Sequence, residues 1–85
     1  MMTFLGARLD RNGLVLVNVR LDGYPAYFHV EPEAIARFLN EVPAHPSHAA
    51  TSVEEAWPRF AGVFETLVRR HGQDFIVDEA MLLRK

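Results

Sequence analysis

Two histidines with a carboxylate nearby are the first candidates for chemistry in this chain. His45 and His48 are three residues apart, and Glu41 precedes them. On a helix this spacing presents two imidazoles to one side, and imidazole is a common zinc ligand. Pro43 and Pro46 interrupt the segment, however, so we expect a solvated loop there. Because the sequence offers no firm third ligand, it predicts no metal site and no cofactor.

A second group of polar and aromatic side chains alternates along two β-rich runs and predicts an interaction surface. Its members are Leu16, Asn18, Arg20, Tyr27 and His29. Apolar and aromatic groups beside unpaired strand edges favour contact with a protein partner, here a second copy of the chain. The competing interpretation is an ordinary amphipathic outer face of a sheet.

Three arginines form a weak candidate for a basic patch. Arg59, Arg69 and Arg70 follow one another on a predicted helix, but glutamates share its surface, and Glu65 can pair with Arg69 at i,i+4. The formal net charge of −2 gives no general attraction to nucleic acid or acidic lipid. We therefore expect a solvated face of mixed charge and no nucleic-acid partner.

The sequence has few of the groups on which enzymes depend. It contains no cysteine, which excludes disulfides and thiolate chemistry. The serines and threonines lack a nucleophile-elbow setting, and the glycines are scattered at turns and helix ends without a phosphate-binding pattern. We predict that the chain is not an enzyme and has no catalytic residues.

The element that positions the candidate surface is a hairpin. Asp22-Gly23 separates two β-rich runs and predicts a two-residue type I′ turn, which requires positive φ at both central positions. The resulting register sorts the side chains of the two strands into an apolar core face and an outer face. The core-face pairs are Leu21 with Tyr24, Val19 with Ala26, Val17 with Phe28, and Val15 with Val30.

An earlier strand, residues 3–9, joins this hairpin through Asp10-Arg11-Asn12-Gly13. A two-residue turn would mix the faces. A three-residue loop with Gly13 in a left-handed bulge pairs Leu9 with Val15, Ala7 with Val17 and Leu5 with Val19, so it is favoured. Pro25 marks the third strand as an edge strand, at least near its start.

The remaining chain predicts helices and a short last strand. A first helix opens at Pro32 and ends near Val42, and residues 43–51 are expected to form a loop. Ser52 and Glu55 have capping-box spacing before a long apolar stripe that continues past Pro58. Either one helix bends at Pro58, which is the favoured interpretation, or a helix restarts with Pro58 in its first turn. Residues 75–77 are a strand, and residues 78–83 are a helical turn or a docked tail.

These elements predict a single α+β domain over residues 1–85. It has two layers, in which an antiparallel meander of three strands is followed by two helices and a short fourth strand. The expected strand order is 4-1-2-3, with the fourth strand antiparallel to the first. Nearly half of the residues, 49%, are apolar, as in a globular chain. No signal peptide and no bilayer-spanning stretch are expected, so the predicted location is the cytoplasm.

The pattern also resembles a known family. The run from Val17 to Gly23, the extended strand after it, and Glu31-Pro32-Glu33-Ala34-Ile35 opening a helix are similar to small bacterial proteins of the domain-of-unknown-function family numbered fourteen eighty-eight. The resemblance extends over about residues 14–83. It implies a small α+β fold and offers no established catalytic residues.

The sequence therefore favours a non-catalytic protein-interaction or self-assembly module with a homodimer or another protein as its partner. A nucleic-acid-associated regulator that uses Arg59, Arg69 and Arg70 is the second hypothesis. A small-molecule or metal-binding domain centred on His29, or on His45 and His48, is the third.

Overall fold

A computed structural model of the chain describes residues 1–42 and 45–83 and shows an α+β fold. One sheet of four strands is covered by helices, as the sequence predicts in outline. The elements are β1 (Met2–Leu9), β2 (Val15–Leu21), β3 (Tyr24–Val30), α1 (Pro32–Leu39), α2 (Pro46–Glu55), α3 (Trp57–His71), β4 (Ile76–Val77) and α4 (Glu79–Leu83). No helix in the described part of the chain is both long enough and apolar enough to cross a bilayer.

The β2–β3 hairpin has the predicted register. Asp22 and Gly23 have φ values of 53° and 90°, as a type I′ turn requires. Val17 lies opposite Phe28, and both side chains are completely buried. The outer-face pairs are also confirmed, with Leu16 opposite His29, Asn18 opposite Tyr27, and Arg20 opposite Pro25.

The β1–β2 connection is the predicted three-residue loop, with one error in the strand register. Gly13 has a φ of 78°, and Leu9 and Ala7 pair with Val15 and Val17. The predicted pairing of Leu5 with Val19 is wrong, because a bulge between Phe4 and Gly6 puts Phe4 opposite Val19. The bulge turns the Phe4 ring towards Trp57, with ring centroids 4.9 Å apart, and leaves Leu5 52% exposed.

Substitution of Gly13 by alanine is expected to lower the free energy of unfolding by about 1 kcal/mol or more, because alanine strains a backbone with positive φ. Urea denaturation would measure the effect. Gly62→Ala is the matched control, since Gly62 lies within α3 with open space around it. That control should gain up to about 1 kcal/mol from helix propensity. Equal effects from the two substitutions would contradict the assigned turn.

The predicted strand order is wrong, because β4 pairs with β3 and not with β1. The observed order is β1-β2-β3-β4, and β4 runs parallel to β3. The pairing uses the far end of β3, where His29 lies opposite Ile76 and Val30 opposite Val77. Pro25 lies four residues before this contact, so its missing N–H costs the pairing nothing.

The first helix is shorter than predicted, and a second helix occupies much of the predicted loop. Helix α1 ends at Leu39 because Asn40 adopts a left-handed conformation, with a φ of 57°. Val42, near which the helix was expected to end, is 90% exposed. Helix α2 begins at Pro46, since proline is tolerated in a first turn whose N–H groups need no helical partner. The first two residues of the predicted loop, Pro43 and Ala44, lie outside the described residues.

The prediction of one helix bent at Pro58 is also wrong, and the alternative restart is confirmed. Ala56 leaves helical geometry, with φ −105° and ψ 22°, and α3 begins at Trp57 with Pro58 in its first turn. Ser52 does not cap a helix. It is buried inside α2, where its hydroxyl donates a hydrogen bond to the His48 carbonyl oxygen. These breaks let α2 and α3 each turn an apolar side towards the sheet.

The core lies between one face of the sheet and the helices. Alternate residues of β2 and β3, from Val15 to Val30, meet apolar side chains of all four helices. Aromatic rings fill its centre, and Phe64 lies 4.8 Å from Phe28 and 5.1 Å from Phe60 between ring centroids. Because the helices cover only this face, the opposite face of the sheet is left without a covering layer.

Candidate interaction surface

The five residues predicted as an interaction surface lie on one face of the sheet. The outer face, as the term is used here, consists of Leu16, Asn18 and Arg20 from β2 and Tyr27 and His29 from β3. The confirmed register puts Leu16 beside His29 and Asn18 beside Tyr27. Alternation along each strand turns these side chains away from the core. The predicted grouping of the five residues therefore exists as a continuous surface.

The outer face combines exposed aromatic and charged groups with half-buried ones. Arg20 is exposed, and Tyr27 is 37% exposed, whereas Leu16, Asn18 and His29 are half-buried. Apolar side chains at its margins extend the surface, since Leu5 at the β1 bulge and Ile76 on β4 are both more than half exposed. Such a patch of aromatic, aliphatic and arginine side chains has the composition of a protein interface.

The structure adds one residue that sequence reasoning missed at this surface. Asp10 Oδ2 lies 3.3 Å from His29 Nε2. Asp10 directly follows β1 and His29 lies on β3, so the contact passes across the intervening strand β2. The other carboxylate oxygen, Oδ1, accepts hydrogen bonds from the backbone N–H groups of Asn12 and Leu14. The sequence does contain a signal for the role of Asp10 in the turn, because an aspartate at the start of a turn can accept hydrogen bonds from the backbone N–H groups that follow it. Asp10 thus links the β1–β2 turn to β3.

The Asp10 carboxylate is unusual for a residue on an uncovered face. Its Oδ2 atom is buried and accepts no hydrogen bond from the described residues. A buried carboxylate oxygen is costly unless positive charge or a donor lies close to it. The His29 imidazole occupies that position, with its Nε2 atom 3.3 Å from Asp10 Oδ2.

The three arginines of the weak basic patch do not converge on one site. Arg69 Nη2 donates hydrogen bonds to Asp22 Oδ2 at 2.9 Å and to Glu65 Oε2 at 3.1 Å. Arg59 lies over the Phe38 ring, 5.8 Å from its centroid, and Arg70 is exposed. The Arg69 charge is therefore already balanced by two carboxylates, as the predicted pairing with Glu65 implies.

These contacts shift the ionisation of both partners in the Asp22–Arg69 pair. Hydrogen bonds from the Met1 amino group and then from Arg69 hold the pKa of Asp22 below its ordinary value of 3.8. Hydrogen bonds to Asp22 and then to Glu65 raise the pKa of Arg69. A carboxyl group with a depressed pKa stabilises the fold above its ordinary pKa and loses that contribution as the pH falls through its folded value.

Replacement of Asp22 by asparagine is expected to lower stability slightly at neutral pH and to have a smaller effect below about pH 4. Asparagine also tolerates the left-handed turn conformation, so the substitution isolates the charge. Urea denaturation of both proteins across this pH range would measure the difference. A difference that stayed constant with pH would show that the Asp22 charge contributes nothing. High salt should reduce the effect, because the pair is exposed.

His45 and His48 line a cavity of about 360 Å³ between the β1–β2 turn, α1 and α2. Glu31, Glu33 and Glu41 also contribute to its wall. His45 has a structural role there, since its Nδ1 accepts a hydrogen bond from the Ser47 N–H at the start of α2. The described residues contain no group of three or more side chains placed to hold a metal ion.

Searches with the chain found no matching family model, no matching curated protein and no matching solved structure. The resemblance to the domain-of-unknown-function family stays a prediction.

Proposed function

We propose that this chain is a non-catalytic interaction module that self-associates through the outer face of its sheet. The observation that carries the proposal is the one-sided covering of the sheet, which buries the core face and leaves the outer face open. Tyr27, Leu5 and Ile76 expose apolar surface on that side. A second protein surface packed against these groups would remove them from water, which is favourable for apolar side chains.

Face-to-face packing is favoured over edge pairing by the condition of the sheet edges. The β1 edge carries a bulge, a feature that disfavours regular pairing with another strand. At the other edge, β4 has only two residues and pairs only with the end of β3, so it offers little length for regular pairing with another strand. The face is thus the larger unpartnered surface.

The nucleic-acid alternative has weaker support, because the Arg69 guanidinium is engaged by Asp22 and Glu65. A binder of phosphates would need free cations grouped along one path.

Sedimentation equilibrium of the full chain over a wide concentration range tests the proposal. We expect a reversible monomer–dimer equilibrium with a dissociation constant in the micromolar range, as is common for interfaces of small area. A strict monomer at high micromolar concentration would refute self-association.

A further inference from the structure

We infer that two copies pack with their outer faces together about a two-fold axis parallel to the strands, so that β1 of each copy lies over β4 of the other. The inference rests on the proposed function and adds the arrangement of the partner, which is a second copy of this chain. It is carried by the distribution of charge across the sheet.

The positive charges lie on one half of the sheet. Arg8 on β1 and Arg20 on β2 are exposed, and neither forms an ion pair with any described residue. The register puts Arg8 opposite Leu16, so its side chain belongs to the same side of the sheet as the outer face. Asp10 is the acid on this half, but the turn N–H groups and His29 already occupy its two oxygens.

The negative charges lie on the other half. Asp74 and Asp78 flank β4, and both are exposed. Asp74 is held at the edge of the sheet by a hydrogen bond from its backbone N–H to the Tyr27 carbonyl oxygen. No ion pair to either aspartate is formed by the described residues. The surface therefore runs from basic at β1 to acidic at β4.

Two-fold symmetry selects the arrangement that makes this gradient attractive. In an isologous dimer each copy presents the same patch to the other. An axis that runs parallel to the strands, between β2 and β3, superposes β1 of one sheet on β4 of its partner. The registers put Arg8 at the level of Leu16, His29 and Ile76, so Arg8 then lies over the partner's β4, two residues from both Asp74 and Asp78. The central Leu16 and Tyr27 pack near the axis. Two twisted sheets stack in this way at a mutual angle of roughly 30°.

Other orientations of the same faces lose this match. An axis perpendicular to the sheet would not bring the two outer faces together at all. An axis in the interface but across the strands would lay β1 over β1 and β2 over β2, so the basic half of one sheet, with Arg8 and Arg20, would face the basic half of the other. Because like charges opposed across an interface are unfavourable, the parallel axis is the arrangement that this charge distribution favours.

A charge-exchange experiment by sedimentation equilibrium tests the arrangement. Arg8→Glu and Asp74→Arg should each raise the dimer dissociation constant about 10-fold, through repulsion at the rim. The double variant should return to within about 3-fold of the wild type, because the ion pair is restored in reverse. Arg70→Glu is the matched control for a change of charge on the helical side, and it should leave the constant unchanged. Thermal melts of every variant would verify that the fold is retained.

The outcomes separate the two levels of the proposal. Loss of affinity in both single variants with recovery in the double variant supports the arrangement. A dimer that responds to these substitutions no more than to Arg70→Glu, or a double variant weaker than either single one, overturns the arrangement but leaves self-association standing. A wild-type chain that is monomeric, or that binds only a different protein, overturns both.

Discussion

Replacing Phe28 by alanine is expected to lower the free energy of unfolding by about 3–5 kcal/mol, which is a large part of the stability of a small domain. Phe28 is completely buried, and its ring lies 4.8 Å from Phe64 and 5.4 Å from Phe75 between centroids. Removal of the ring would leave a cavity at the junction of the sheet and α3. Urea denaturation followed by circular dichroism would measure the loss.

Tyr27→Ala is the matched control for this prediction. Tyr27 precedes Phe28 on the same strand but points to the outer face. Its truncation should lower the free energy of unfolding by less than about 1 kcal/mol, mainly because alanine has a lower β propensity than tyrosine. If the two substitutions had equal effects on stability, the assignment of core and outer faces would be wrong.

The second large effect is expected on association and not on folding. Tyr27→Ala should raise the dimer dissociation constant about 30-fold or more, because a tyrosine near the centre of an interface commonly contributes about 2 kcal/mol. Tyr27 lies beside Asn18, in the middle of the proposed contact surface. Sedimentation equilibrium would give the constants for wild type and variant.

Tyr24→Ala provides the control for residue type and strand. Tyr24 is 76% exposed, yet it pairs with Leu21 on the core-face side of β3, at the end of the strand. Its truncation should change the dissociation constant less than about 2-fold, since it lies outside the proposed contact surface. A larger effect from Tyr24 than from Tyr27 would place the contact elsewhere on the chain.

The hairpin and its outer face could be predicted because local signals fix them. Asp22-Gly23 determines the turn, and alternation then assigns each side chain of β2 and β3 to a face. The bulge at Leu5 could not be predicted in this way, because it depends on the packing of Phe4 against Trp57. Local sequence carries no information on that contact.

Two prolines mislead the prediction for a related reason. The sequence predicts that Pro46 prevents a helix and that Pro58 bends one, but each lies in the first turn of a new helix. A proline fits both situations, and tertiary packing decides between them.

The position of β4 in the sheet could not be predicted from local sequence either. A strand of two residues has no pattern from which its neighbour can be inferred, and β3 accepts it only beyond Pro25.

The Asp10–His29 contact is the part of the candidate surface that could not be predicted from the sequence. The two residues are separated by 19 positions and by an intervening strand, so their proximity follows only from the combined register of both hairpins. Sequence reasoning put His29 on the outer face but had no means of pairing it with the turn carboxylate.

The most direct test of the account is a dilution series followed by amide nuclear magnetic resonance. On dilution from millimolar to low micromolar protein, we expect concentration-dependent shifts at Leu16, Asn18 and Tyr27 and almost none along the exposed side of α3. Shifts confined to α3, or no shifts at any concentration, would contradict the claim that two copies meet on the open face of the sheet.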